Sequence, residues 1–66
     1  MQNNLVPRRA ELGWSQAQLA EKLGVSRQTI VSIERGRFDP SLPLAFHIAR
    51  LFDCRIEDVF SPDTAG

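Results

Sequence analysis

Apolar residues along the chain recur at intervals of three and four, and no stretch alternates apolar with polar for more than a few positions. The first pattern is the period of a helix with one buried face; the second would be the period of a strand. The expected fold is therefore all-α, a compact bundle of four to five short helices. Asn3 or Asn4 caps a first helix through Leu12, with Pro7 near its third position, where the missing N–H has no intrahelical partner to lose. Ser15 and Gln18 have the spacing of a capping box and open a second helix that ends near Gly24, with Leu19, Ala20 and Leu23 inside. Ser26 caps a third helix to Arg35, after which Gly36 supplies a left-handed residue. Ser41 caps a fourth through Phe52 with Pro43 in its first turn, and Ile56 to Phe60 has room for one or two turns more. From Ser61 to Gly66 no apolar residue beyond Ala65 anchors the chain, so a frayed tail over 61–66 is expected. Without repeats or a linker, residues 1–66 form a single domain.

Only two residues separate the second and third helices. So tight a connection makes them cross steeply instead of lying side by side, the helix-turn-helix geometry, over about residues 15–36. On the third helix Ile30 and Ile33 point inward, while Arg27, Gln28, Val31 and Ser32 stand at i, i+1, i+4 and i+5, a stripe away from them. That stripe suits base edges in a major groove. An Arg fork matches guanine O6 and N7, a Gln amide matches adenine N6 and N7, and Val can touch a thymine methyl. An Arg and a Gln early on an exposed helix are most often simply solvated, so the stripe alone does not establish a partner.

Charge sharpens the picture. The total is zero, with eight basic and eight acidic side chains, which at first argues against a polyanionic partner. Through residue 37, however, six basic residues face three acidic ones, a balance of +3, and the remainder carries −3. A neutral total can thus cover one positive and one negative end, and local charge sets the field over a small protein.

Size and composition exclude other classes. A chain of 66 residues buries only ~60% of the surface it exposes unfolded, leaving little room for both a core and an enclosed substrate cavity. No nucleophile with its base, carboxylate pair or metal set can be assembled, so an enzyme is not expected; Ser15 and Ser26 read as caps. With 42% hydrophobic and 24% charged residues the chain is a soluble globule and not a disordered tail. The single cysteine, Cys54, rules out an internal disulfide and reads as buried packing. His47 has no Cys or acidic residue at ligand spacing, and Trp14 is expected to plug the junction of the first two helices. No metal, cofactor or small-molecule effector is indicated. No apolar run approaches the ~20 residues of a membrane span and no signal peptide is seen, so a cytoplasmic location is expected.

The stretch from Ser15 to Gly36, SQAQLAEKLGVSRQTIVSIERG, resembles the helix-turn-helix of the phage Cro and repressor family, the XRE-type regulators. The likeness continues through Phe38-Asp39-Pro40-Ser41-Leu42 and, with the flanking helices, covers nearly the whole chain. It implies a lambda-repressor-like DNA-binding domain and a sequence-specific regulator of double-stranded DNA. Carried over residue by residue, it implies that Gln16 holds a DNA phosphate, so that its loss weakens all sequences alike, and that Arg27, Gln28, Val31 and Ser32 read bases. Thr29 and Arg37 fall where the family often touches the sugar-phosphate backbone, with Phe38 in the same loop. Arg9 and Glu34 match a pair that bridges the first helix to the third. The chain departs from the family at Pro7, at Arg8, where an aliphatic residue is often buried, and at Arg55, which stands at a usual N-cap but has no acceptor to cap with.

Because family members usually bind two half-sites about one DNA turn apart, ~34 Å, the resemblance also implies a homodimer acting as a repressor on a palindromic operator. Leu51, Phe52, Ile56, Val59 and Phe60 crowd a short segment and are the expected interface, Phe60 foremost; the same residues could instead complete the monomer core. The alternative is an antitoxin-like or adaptor domain that acts mainly through a protein partner.

Overall fold

The computed structural model describes residues 1–62. The chain runs β1 (Gln2–Asn3), α1 (Leu5–Glu11), α2 (Gln16–Leu23), α3 (Arg27–Glu34), α4 (Leu42–Leu51), α5 (Ile56–Val59) and β2 (Phe60–Ser61). The starts of α2, α3 and α4 follow the cap chemistry, while the Asn4 side chain makes no cap bond at α1. Ser15 Oγ accepts the Gln18 N–H at 3.1 Å while Gln18 Oε1 accepts the Ser15 N–H at 2.8 Å, both halves of a capping box. Ser26 and Ser41 accept from the N–H groups of Thr29 and Leu44, opening α3 and α4.

The helices also stop for local reasons. α2 closes on Gly24 at φ 71°, with the Gly24 N–H on the Glu21 carbonyl and the Val25 N–H on that of Ala20. This pair of bonds satisfies carbonyls that the helix itself cannot, and it requires a left-handed residue between them. α4 closes by the same two bonds, Asp53 N–H to Arg50 and Cys54 N–H to Ala49, but with Asp53 at φ 55°. Aspartate tolerates that conformation better than most side chains, which is why no glycine marks this end.

Leu5 of α1, Leu19 and Leu23 of α2, Ile30 and Ile33 of α3, and Ile48 of α4 meet in one core, joined by Val59 and Phe60. The all-α expectation holds for the body of the fold, and a short antiparallel pairing is added to it. Gln2 lies opposite Ser61 and Asn3 opposite Phe60, so the start of the chain is stitched to the segment after α5. Ser61 is therefore held in a strand, contrary to the expected fraying; of the remaining tail, Pro62 is exposed and 63–66 lie outside the described residues. Two residues per strand are too few for alternation to show in a sequence.

Side chains around this stitch explain two departures noted above. Arg8 is half-buried because its Nη2 donates to the Asp58 carbonyl at 3.2 Å and its Nε to Asn4 Oδ1 at 3.0 Å. Asn4 Nδ2 donates to the same carbonyl at 2.9 Å, so α1 is tied to the end of α5. Arg55 does not cap with its side chain; its backbone N–H donates to Asp58 Oδ2 at 3.0 Å, and α5 starts through that reciprocal bond. The same bond holds the Asp58 carboxyl below the usual carboxylate range.

The expected interface is corrected at two positions. Val59 and Phe60 are only 3% and 7% exposed: the strand pairing brings Phe60 back onto the core, and both complete the monomer. Leu51 and Phe52 are half-buried against that core, and Phe52 packs on Trp14 with ring centroids 5.7 Å apart. Trp14 thus joins the α1–α2 turn to the end of α4, with Lys22 Nζ 4.6 Å from its ring centroid. Ile56 lines an open apolar groove beside Leu42 and Pro40, and Leu42 and Phe46 of α4 stand exposed nearby.

Candidate nucleic-acid interface

The Gly24-Val25-Ser26 turn joins α2 to α3, and core packing of Ile30 and Ile33 fixes the rotation of α3. Arg27 and Gln28 are left exposed at its first turn, with Val31 and Ser32 half-buried one turn on. A shallow cleft brings Ser26, Gln28, Thr29 and Ser32 together with Arg37 and Phe38 from the next loop. That loop is held by the Arg37 N–H on the Ser32 carbonyl at 2.9 Å, the closing bond of α3. Thr29 is largely committed to the helix start: its N–H donates to Ser26 Oγ, and the two hydroxyls lie 2.9 Å apart. Phe38 is 47% exposed beside the cleft, an apolar surface that helical periodicity cannot flag because it lies in a loop.

On the other side of Arg27, four side chains far apart in sequence form a chain of hydrogen bonds. Arg9 Nε donates to Glu34 Oε2 at 2.6 Å and Arg9 Nη2 to Glu34 Oε1 at 3.2 Å, a two-pronged bond between α1 and the end of α3. Arg9 Nη1 also reaches the Trp14 carbonyl at 3.3 Å. Gln16 Nε2 donates to Glu34 Oε1 at 2.9 Å, and Arg27 Nη2 donates to Gln16 Oε1 at 3.1 Å. The Arg9 and Glu34 side chains are 17% and 5% exposed. Burial pushes the Glu34 carboxyl up, but the bonds from Arg9 and Gln16 together with the Arg9 charge outweigh it, so its pKa sits below the ordinary glutamate value. The Glu34 bond likewise raises Arg9.

Most of the residues singled out from the sequence therefore fall into two groups, with the half-buried Val31 in neither. Gln28, Thr29, Ser32 and Arg37 border the cleft, while Gln16 and Arg27 touch each other beside it. The bonds of Gln16 to Glu34 and Arg27 were not foreseen: they span 18 and 11 residues and depend on how α2 and α3 cross. Among the described residues no group of His, Cys, Asp and Glu could hold a metal ion, and no helix is long and apolar enough to cross a membrane.

Comparison with known proteins agrees with this architecture. A family model described as helix-turn-helix matches residues 8–59. An uncharacterized HTH-type transcriptional regulator of Methanocaldococcus jannaschii is 57% identical over 60 residues, 91% of each chain. The HTH-type regulator YgzD of Bacillus subtilis, also uncharacterized, is 47% identical over 60 residues, again 91% of each. The crystal structure of a hypothetical transcription factor from Neisseria superposes with a TM-score of 0.72 at 27% identity, covering 79% of this chain, which spans 58% of that one. With the turn, the flanking helices and the matched span all in agreement, the chain belongs to the XRE-type helix-turn-helix family of DNA-binding transcriptional regulators.

Proposed function

We propose that the protein is a sequence-specific regulator that places α3 in the major groove of double-stranded DNA, in the cytoplasm, and represses as a homodimer on a palindromic operator. The observation that carries this reading is the first turn of α3, where Arg27 and Gln28 stand exposed on a helix whose other face is locked into the core. Arg27 and Gln28 read base edges, and Val31 and Ser32 follow the groove one turn on. Gln16 and Thr29 position the backbone, and Arg37 with Phe38 flanks the next phosphate. Repression then needs no chemistry beyond occupancy of the operator.

A dimer is favoured by the apolar surface at the C-terminal half. Val59 and most of Phe60 pack in the core, and the interface centres on the groove lined by Ile56, Leu42 and the remaining edge of Phe60, with Phe46 next to it. Phe46 and Leu42 are 50% and 64% exposed, large apolar side chains that a two-fold contact would cover.

Selection of bound duplexes from a random pool tests the reading. A palindromic sequence is expected to be enriched, with affinity that falls steeply as salt rises because phosphate contacts release counterions. A pool without an enriched sequence would contradict it and favour a protein partner. Sedimentation of the free protein and of its complex then decides the dimer; a single copy on the selected site would rule it out.

A further inference from the structure

We propose that Glu34, beyond tying α1 to α3, is a positioning residue for base reading, acting through Gln16 to aim Arg27. The proposal rests on the DNA-binding reading above and deepens it. Glu34 in its charged form only accepts hydrogen bonds, and a guanidinium only donates. Between the two, the Gln16 amide has one satisfactory orientation, with its NH2 on Glu34 Oε1 and its oxygen on Arg27 Nη2. A flipped amide would set oxygen against carboxylate and NH2 against guanidinium, losing both bonds. Glu34 is itself held by two bonds from Arg9, so the buried ion pair anchors a series of donors and acceptors that ends on an exposed side chain.

The consequence lies in Arg27. An exposed arginine samples many rotamers, and freezing it at a base opposes binding. Gln16 restrains it beforehand through one hydrogen of Nη2, leaving the second Nη2 hydrogen and Nη1 for a guanine fork. Gln16 therefore contributes to discrimination at one base pair, whereas the sequence alone assigns it a uniform, sequence-blind role. The arrangement costs no burial of Arg27, and it places the specificity of the reading helix partly under control of a residue that touches no DNA.

The readout is the ratio of affinities for the selected duplex and for the same duplex with the Arg27-dependent base pair replaced. Gln16→Met keeps the bulk of the side chain and leaves the Arg9–Glu34 pair intact. It is expected to lower the ratio about two- to tenfold, the amount that one released long side chain is worth. Glu34→Gln, whose amide no longer dictates the orientation of Gln16, should lower it in the parent and have no further effect on it in Gln16→Met. Arg9→Lys, which loosens the anchor of Glu34, should reduce stability in both backgrounds and have no further effect on the ratio in Gln16→Met. In the free protein, the Arg27 guanidinium proton resonances should collapse toward solvent-averaged values in Gln16→Met, a change that requires no DNA. An unchanged ratio in Gln16→Met, or an equal effect of Glu34→Gln with and without Gln16, would overturn the relay while the DNA-binding reading stands. A parent protein that selects no sequence would overturn that reading and the relay with it.

Discussion

Arg9→Ala is expected to destabilise the fold by about 3 to 5 kcal/mol, because it strands a buried carboxylate. Glu34 is 5% exposed and would keep only the bond from Gln16. Glu34→Ala should cost less, roughly 2 to 3 kcal/mol, since the stranded Arg9 is 17% exposed and can turn toward water. A domain of this size has roughly 3 to 10 kcal/mol to lose, so Arg9→Ala brings much of the population to unfolding. Urea titrations of both single variants and the double variant should give a double loss well below the sum. Equal stability of all three with the parent would mean that the pair contributes nothing.

The pH dependence changes sign between parent and variant. In the parent the folded pKa of Glu34 is lowered, so the pair contributes fully above the unfolded glutamate value near ~4.3 and is lost as pH falls through the lowered folded value. In Arg9→Ala burial acts without its main counterweight and the folded pKa rises. The penalty is then present at neutral pH and relieved as pH falls through the raised value. Mild acid should therefore narrow the stability gap between the two proteins.

Phe60→Ala is expected to cost about 3 to 5 kcal/mol as well, by removing a ring from a close-packed core. Most of the loss should persist at concentrations low enough to keep the chain monomeric, because Phe60 is 7% exposed within one monomer. A loss that shrank away on dilution, as the parent but not the variant lost stability, would instead place Phe60 between subunits.

Those two residues show where sequence reasoning reaches and where it stops. Caps at Ser15, Ser26 and Ser41 act within three residues, so the helix starts could be read off the chain. The stripe at Arg27, Gln28, Val31 and Ser32 follows from helix period once Ile30 and Ile33 are inside. Phe60 could not be placed that way: its burial depends on pairing Asn3 with Phe60 across almost the whole chain. Arg9 and Glu34 came from the family resemblance, but their continuation through Gln16 to Arg27 needed the crossing of α2 on α3. The left-handed Asp53 likewise carries no glycine signal, and only the closing bonds of α4 reveal it.

The central claim, that the exposed first turn of α3 reads DNA bases, is tested most directly by repeating the duplex selection with Arg27→Ala. Arg27 offers a fork that matches guanine, and its removal touches neither the core nor the Arg9–Glu34 pair. The expected result is a loss of about 1 to 3 kcal/mol on the parent's selected duplex and a relaxed preference at one base pair, with the remaining positions still specified. An Arg27→Ala protein that selects the parent's sequence with unchanged preference at every position would contradict the account.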